Sequence, residues 1–235
     1  MISIELYPLT LSEILRYPLP EQLYSLFRQR HFSETTMTIL QRPKSELSVV
    51  RAGIEKYLTH GGLPGLCFIR EERLRREQLQ ALHHLILDRD LRLILETRLS
   101  LETLEMWIAR IATNAWESYN ASEMKREFEL AHHTPKNLLL ALEGIFMIRR
   151  IPITGGRAGE IILMEDQYEE FALSNGKISK EEQLLSLFFR NVRAQFQYRL
   201  GDTTRFESYW TRSGARVPLV LRNENGSLGI IPING

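Results

Sequence analysis

The sequence predicts an α+β protein with a helical N-terminal region, a unit of three helices closed by a β-hairpin, and a small C-terminal mixed sheet beside one long helix. Three observations carry this. Apolar residues recur at three- and four-residue intervals through most of the first 147 positions. The turn Gly155-Gly156-Arg157 then separates RIPIT from EIILM, two strand-like runs. Beyond it, an amphipathic stretch from Lys180 to Arg199 precedes three short β-rich runs punctuated by Ser213-Gly214 and by Asn223 to Gly226.

Each element has a local reason. Thr10 followed by Glu13 is a capping box that opens LSEILRY, and Pro18 and Pro20 stop that helix. Leu47 to His60 has helical spacing and ends at Gly61-Gly62-Leu63-Pro64-Gly65. Arg70 to Arg98 is arginine-rich, with Leu and Ile spaced for one long amphipathic helix or two. Ser100 caps a helix through Ala112, Asn120 caps a short one with Glu123 three residues on, and Thr134-Pro135 opens KNLLLALEGIFMI. Three helices and then a hairpin is the order of a winged helix. The chain therefore divides into a helical region over 1–98, a winged helix over 99–165 and an α/β part over 166–235. Ser179 with Glu182 caps the long helix, behind a patch of seven acids and two lysines between Glu160 and Glu182.

Composition removes several classes. At 235 residues with 43% hydrophobic and 25% charged side chains, the chain has room for a core and is neither disordered nor fibrous. Thirty basic against 29 acidic residues leave a formal charge of +1, so any basic surface is local. The lone Cys67 cannot form an internal disulfide, and no cysteine spacing supports a metal site, which predicts a reducing, cytoplasmic setting. No signal peptide is visible, and the most apolar stretch, LLLALEGIFMI, is short and holds a Glu, so no membrane partner is expected.

Chemical motifs are sparse. No G-x-x-x-x-G-K-[ST] phosphate loop occurs, so no nucleotide or other cofactor is expected of this chain alone. His83-His84 and His132-His133 are adjacent pairs, pointing about 100° apart on a helix, and read as surface or cap residues. Cys67, in LCFI, reads as a buried thiol. DNA binding is the sharper expectation. On a helix-turn-helix the Pro135 to Met147 helix would present Lys136 and Asn137, and the wing would add Arg149, Arg150 and Arg157 for phosphate contacts. Arg190 and Arg193 on the long helix, and more loosely Arg199, extend the set. The competing reading is a solvated hairpin on a unit used for protein packing, since the helix beyond Asn137 is mostly Leu and Ala.

The terminal strands permit one further comparison. Two strands carrying an acid and an acid-x-lysine would hold a divalent ion, as in restriction-endonuclease-like sites. Here Arg216 and Pro218 stand on one strand and Pro232 and Asn234 on the next, so no metal site and no catalytic residue is expected.

With these residues in view, the sequence resembles the C-terminal half of a prokaryotic family of AAA-superfamily ATPases, the region called domain of unknown function 4143. LYPLTLSEIL resembles its Pro-Leu-Ser-x-x-Glu segment through Pro8, Leu9 and Glu13, and YLTHGGLPG resembles its Tyr-Leu-x-x-Gly-Gly-Phe-Pro-Glu signature. LILDRDL is similar to a family helix, the stretch from Ala121 through Glu143 to its winged helix, and ILMED to a strand ending at Asp166. Further on, Glu182-Gln183, Tyr209-Trp210 and Arg212 are kept, while the acids and the lysine of the nuclease-like part are replaced. The resemblance implies a degenerate nuclease-like fold in a truncated product or a stand-alone derivative without the ATPase half. The function expected is a non-catalytic DNA- or protein-binding module, whose partner is duplex DNA through the wing, another protein, or the missing ATPase half. The alternatives are a metal-dependent nuclease using Glu182 and Asp166 with unrecognised ligands, and a protein-interaction scaffold of a larger ATPase.

Overall fold

A computed structural model describes residues 7–16, 44–166, 178–197, 203–224 and 226–231. The protein is α+β. Helix α1 (Leu11–Leu15) begins at the expected capping box, with Glu13 accepting the Thr10 N–H at 2.7 Å. Helix α2 (Lys44–His60) ends where Gly61, at φ 66, donates back to the Tyr57 carbonyl. Helices α3 (Glu72–Leu85) and α4 (Leu91–Ile94) are joined by a π-helical turn over Ile86–Asp90, so the arginine-rich stretch is one interrupted rod. Helices α5 (Leu101–Ala112), α6 (Ala121–Glu127) and α7 (Thr134–Gly144) follow, the first two capped by Ser100 and Asn120. Helix α7 is shorter than its apolar run. Phe146 adopts φ 57 and Met147 donates to the Leu142 carbonyl, which turns the chain into the first strand.

Strands β1 (Ile148–Gly155) and β2 (Gly159–Met164) form the hairpin, helix α8 (Lys180–Gln197) is capped by Ser179, and β3 (Arg205–Trp210), β4 (Arg216–Asn223) and β5 (Gly226–Ile230) complete one five-stranded sheet in the order β2-β1-β3-β4-β5. The sheet crosses the boundary that the sequence places after residue 165, because β1 pairs in parallel with β3. Proline shapes both inner ladders. Pro152 lacks an N–H, and the β1–β3 pairing starts at Ile153 and lasts three residues. Pro218 breaks the β3–β4 register between Glu207 and Tyr209, the two-against-one count of a bulge, and the Ser208 hydroxyl takes up the Val217 carbonyl at 3.2 Å. Gly155, at φ 96, has no space for a side chain, since a Cβ would lie 2.7 Å from the Trp210 carbonyl oxygen.

The hairpin is a wall between two interiors. Ile162 and Met164 of β2 face a core with Leu87, Trp107 and Leu138, built from α3 to α7. Ile161 and Leu163 face the other, with Trp116, Phe189 and Trp210, built from α8 and the sheet. This is why EIILM is apolar without alternation. The outer edge of β2 is covered in turn by the loop before α6, where Tyr119 N–H donates to the Glu160 carbonyl at 2.8 Å.

His83 corrects the expectation of a surface histidine, for it is fully buried. Burial, and then the neighbouring His84, push its pKa down from 6.5 to about 4. The unfolded chain therefore takes up the proton first, and stability falls as pH drops from about 6.5 toward 4. A shift of this size corresponds to roughly 3 kcal/mol. Urea unfolding at pH 7 and pH 4 is expected to show wild type losing about that much more than His83→Leu; equal losses would contradict it.

Candidate functional site

Segments far apart in sequence meet at one buried polar cluster. Asp166, directly after β2 at φ 44, accepts the Gly62 N–H with both carboxylate oxygens, at 2.8 and 2.7 Å. The Gly62 carbonyl receives the Leu9 N–H at 2.8 Å, and the Tyr57 hydroxyl donates to the Leu9 carbonyl at 3.0 Å. Burial and the Asp166 charge hold the Tyr57 pKa well above its ordinary value, so it stays a neutral donor. Leu11 N–H reaches Asn191 of α8 at 2.7 Å, and the Tyr7 hydroxyl bonds Gln197. The N-terminal segment, the Gly-Gly turn, the end of β2 and α8 are thus tied together.

Next to Asp166, Glu165 is buried between two guanidinium groups, Arg193 at 2.6 Å and Arg149 at 3.5 Å. Arg193 also lies 4.5 Å over the Tyr7 ring. The cavity lined here by Tyr57, Glu165 and Arg193 is only about 10 Å³, the size of one water at most. The cluster is a lock with no room for a substrate.

The seven DNA-contact residues expected from the sequence separate into two groups. Arg149 and Arg193 are held by Glu165, Arg150 by Glu160 at 2.7 Å, and Arg190 donates to the Met164 carbonyl at 3.0 Å. All four have a counter-charge or acceptor within the fold; Arg193 is buried, while Arg149, Arg150 and Arg190 remain part-exposed. Lys136 and Asn137 are exposed on the first turn of α7, and Arg157 is exposed in the hairpin turn. Arg199 lies outside the described residues. Lys125 and Arg126 of α6 are also exposed, and among the described residues Lys125, Arg126, Lys136 and Arg157 make no ion pair. Periodicity of α6 could have shown the first two, because Met124 is its one buried residue.

The metal-binding alternative draws little from the geometry. The Glu182 carboxylate accepts from the Ser179 N–H at 2.9 Å and its hydroxyl at 2.8 Å, and Asp166 is occupied by Gly62. Arg216 pairs with Glu117 at 2.7 Å and lies 5.6 Å from the Trp210 ring centroid. Pro232, Asn234 and two of the seven acids of the acidic patch, Glu169 and Glu170, lie outside the described residues. Among the described residues no group of three or more His, Cys, Asp or Glu is placed to hold a metal ion, and no helix is long and apolar enough to cross a membrane.

Fold and site together define an α+β protein in which a pair of helices, α6 and α7, and a mixed sheet share one hairpin, locked at its base by buried charge. A family described as a domain of unknown function (DUF8612) matches residues 51–158, from within α2 to the hairpin turn. No curated protein and no solved structure matches the chain.

Proposed function

We propose that this protein is a non-catalytic cytoplasmic module that holds duplex DNA without sequence preference, through the α6–α7 pair and the hairpin turn. The observation that carries it is the charge sorting just described. From Asn120 to Ala158 there are six Lys or Arg against four Glu, and the internal pairs consume Arg149, Arg150 and three of the glutamates, Glu123, Glu127 and Glu143. Lys125, Arg126, Lys136 and Arg157 remain facing solvent, beside Asn137. The winged-helix order and the motifs resembling the AAA-ATPase C-terminal half support the same reading, with an ATPase half as a second partner.

Four phosphate contacts give a log–log salt slope of about −3.6. Fluorescence anisotropy on a labelled duplex is expected to show that slope, falling to about −2 in Lys136→Glu/Arg157→Glu as two contacts are lost. Absence of binding at low salt, or an unchanged slope in the double variant, would overturn the reading.

A protein partner is the second reading, favoured by apolar side chains left in water: Leu93 is 80% exposed, Met106 58%, Phe146 55% and Leu140 49%. Leu140 shares the outer face of α7 with Lys136 and Asn137. DNA binding unaffected by Leu140→Asp would separate the two surfaces.

A further inference from the structure

We infer that the outer edge of β5 pairs with the same edge of a second copy of this chain, making a two-fold dimer with one continuous sheet. The two edges of the five-stranded sheet are finished differently. On β2 the loop before α6 covers the edge, through the Ser118–Ile161 bridge and the Tyr119 N–H on the Glu160 carbonyl. At the other end of the sheet, β5 has only β4 beside it. A bare edge is a template for another strand, and proteins that avoid such pairing blunt it with charge or proline. Gly226 to Ile231 reads GSLGII and carries neither.

Register fixes which backbone groups face out. Asn223 and Gly226 close a two-residue turn and so form a hydrogen-bonded pair, followed by Leu221 with Leu228 and Leu219 with Ile230. Ser227 and Gly229 lie between them and turn their N–H and C=O away from β4, and Ile231 is next in the alternation. Ser227 and Gly229 are exposed, and no described residue hydrogen-bonds the outward groups of these three residues.

The strand complements itself. An antiparallel pairing about an axis between the two copies of Gly229 sets Ser227 of each copy opposite Ile231 of the other, which gives three close pairs and about six backbone hydrogen bonds. Glycine at the axis brings no side chains into conflict there. The same register sets Leu228 opposite Ile230 of the other copy. Both are half-buried and already lean on the interior built from α8 and the sheet, so the apolar layer continues across the axis. On the opposite face Ile231, 59% exposed, is covered beside Ser227 of the other copy. No charge meets its own image, a condition that a two-fold strand pair has to satisfy. Because the β2 edge is covered, assembly closes at two chains. About six residues per copy, against 20–30 in an interface of standard size, make this a weak dimer with a Kd of roughly 10–500 µM.

The test is sedimentation equilibrium of the full chain from about 5 µM to about 1 mM, with amide ¹H–¹⁵N spectra over the same range. The expected result is a mass that rises from one chain to two and stops there, with the concentration-dependent shifts centred on Ser227, Gly229 and Ile231. Ser227→Glu/Ile231→Lys places Glu opposite Lys twice across the axis and is expected to tighten the dimer several-fold, whereas Ser227→Lys/Ile231→Lys opposes like charges and is expected to weaken it by a similar factor. The spectra report the fold of each variant at the same time. A chain that stays monomeric throughout, leaving the edge to some other protein, overturns the proposal. So do a mass that grows past two chains, shifts centred elsewhere, or one and the same Kd for both double variants. No DNA is present, so the outcome is separate from that of the DNA reading.

Discussion

Glu165→Ala is expected to lower stability by about 3–5 kcal/mol, because it leaves the Arg193 guanidinium buried without its counter-ion. Arg149 suffers less, as about a fifth of its side chain still reaches water. For a protein of this size each kcal/mol corresponds to about 2–4 °C in melting temperature, so a fall of roughly 10 °C should appear in a thermal scan. The double replacement Glu165→Leu/Arg193→Met is expected to recover much of the loss, since apolar residues of similar volume often replace a buried pair at little cost. If the single and double variants were equally unstable, charge burial would not be the cause.

Gly62→Ala is expected to be comparably damaging through a different route. A Cβ at this position would run into the Leu9 carbonyl oxygen and lie 2.7 Å from the Tyr57 hydroxyl, and the first of these is backbone that cannot swing away. Relief requires moving the N-terminal segment off the turn, which breaks the Leu9–Gly62 and Tyr57–Leu9 hydrogen bonds. Overpacking costs about 1–3 kcal/mol, and the two bonds add about 1 kcal/mol each. Gly65→Ala is the control, because open space surrounds that position. Urea midpoints should fall steeply for the first and hardly move for the second. Equal midpoints would mean that the turn tolerates a side chain.

Much of this architecture was legible because its signals are local. Thr10 with Glu13, Ser100, Asn120 and Ser179 with Glu182 cap helices by contacts within three residues, and Gly155 marks its turn by the same short-range logic. The sheet was not legible. Whether β1 lies beside β3 depends on pairing across more than fifty residues, and no periodicity encodes it. The arginines show the same limit at the level of the site. Arg149, Arg150, Arg190 and Arg193 read as a basic surface in one dimension, yet Glu165, Glu143 and Glu160 meet three of them, and a backbone carbonyl meets the fourth. Lys136, Asn137 and Arg157 kept their exposure because they sit on a first turn and at a loop tip, positions that sequence does reveal. The lock itself left two traces: ILM ends abruptly in Glu165 and Asp166, and Gly61-Gly62 follows Tyr57. Neither trace says that the other is its partner.

The two-sided burial of β2 bears on how the chain avoids misfolding. In a strand with one wet face, sliding by a single residue drives apolar side chains into water and is rejected at once. Along Ile161-Ile162-Leu163-Met164 the same slide would only exchange which interior each side chain enters. Alignment must therefore be policed from the ends of the strand. Gly159 sits where a Cβ would press on the Ser118 hydroxyl at 3.1 Å, and at the far end Glu165 and Asp166 find their arginine and amide partners in one frame only. The buried carboxylates act, in this light, as a proofreading device for assembly.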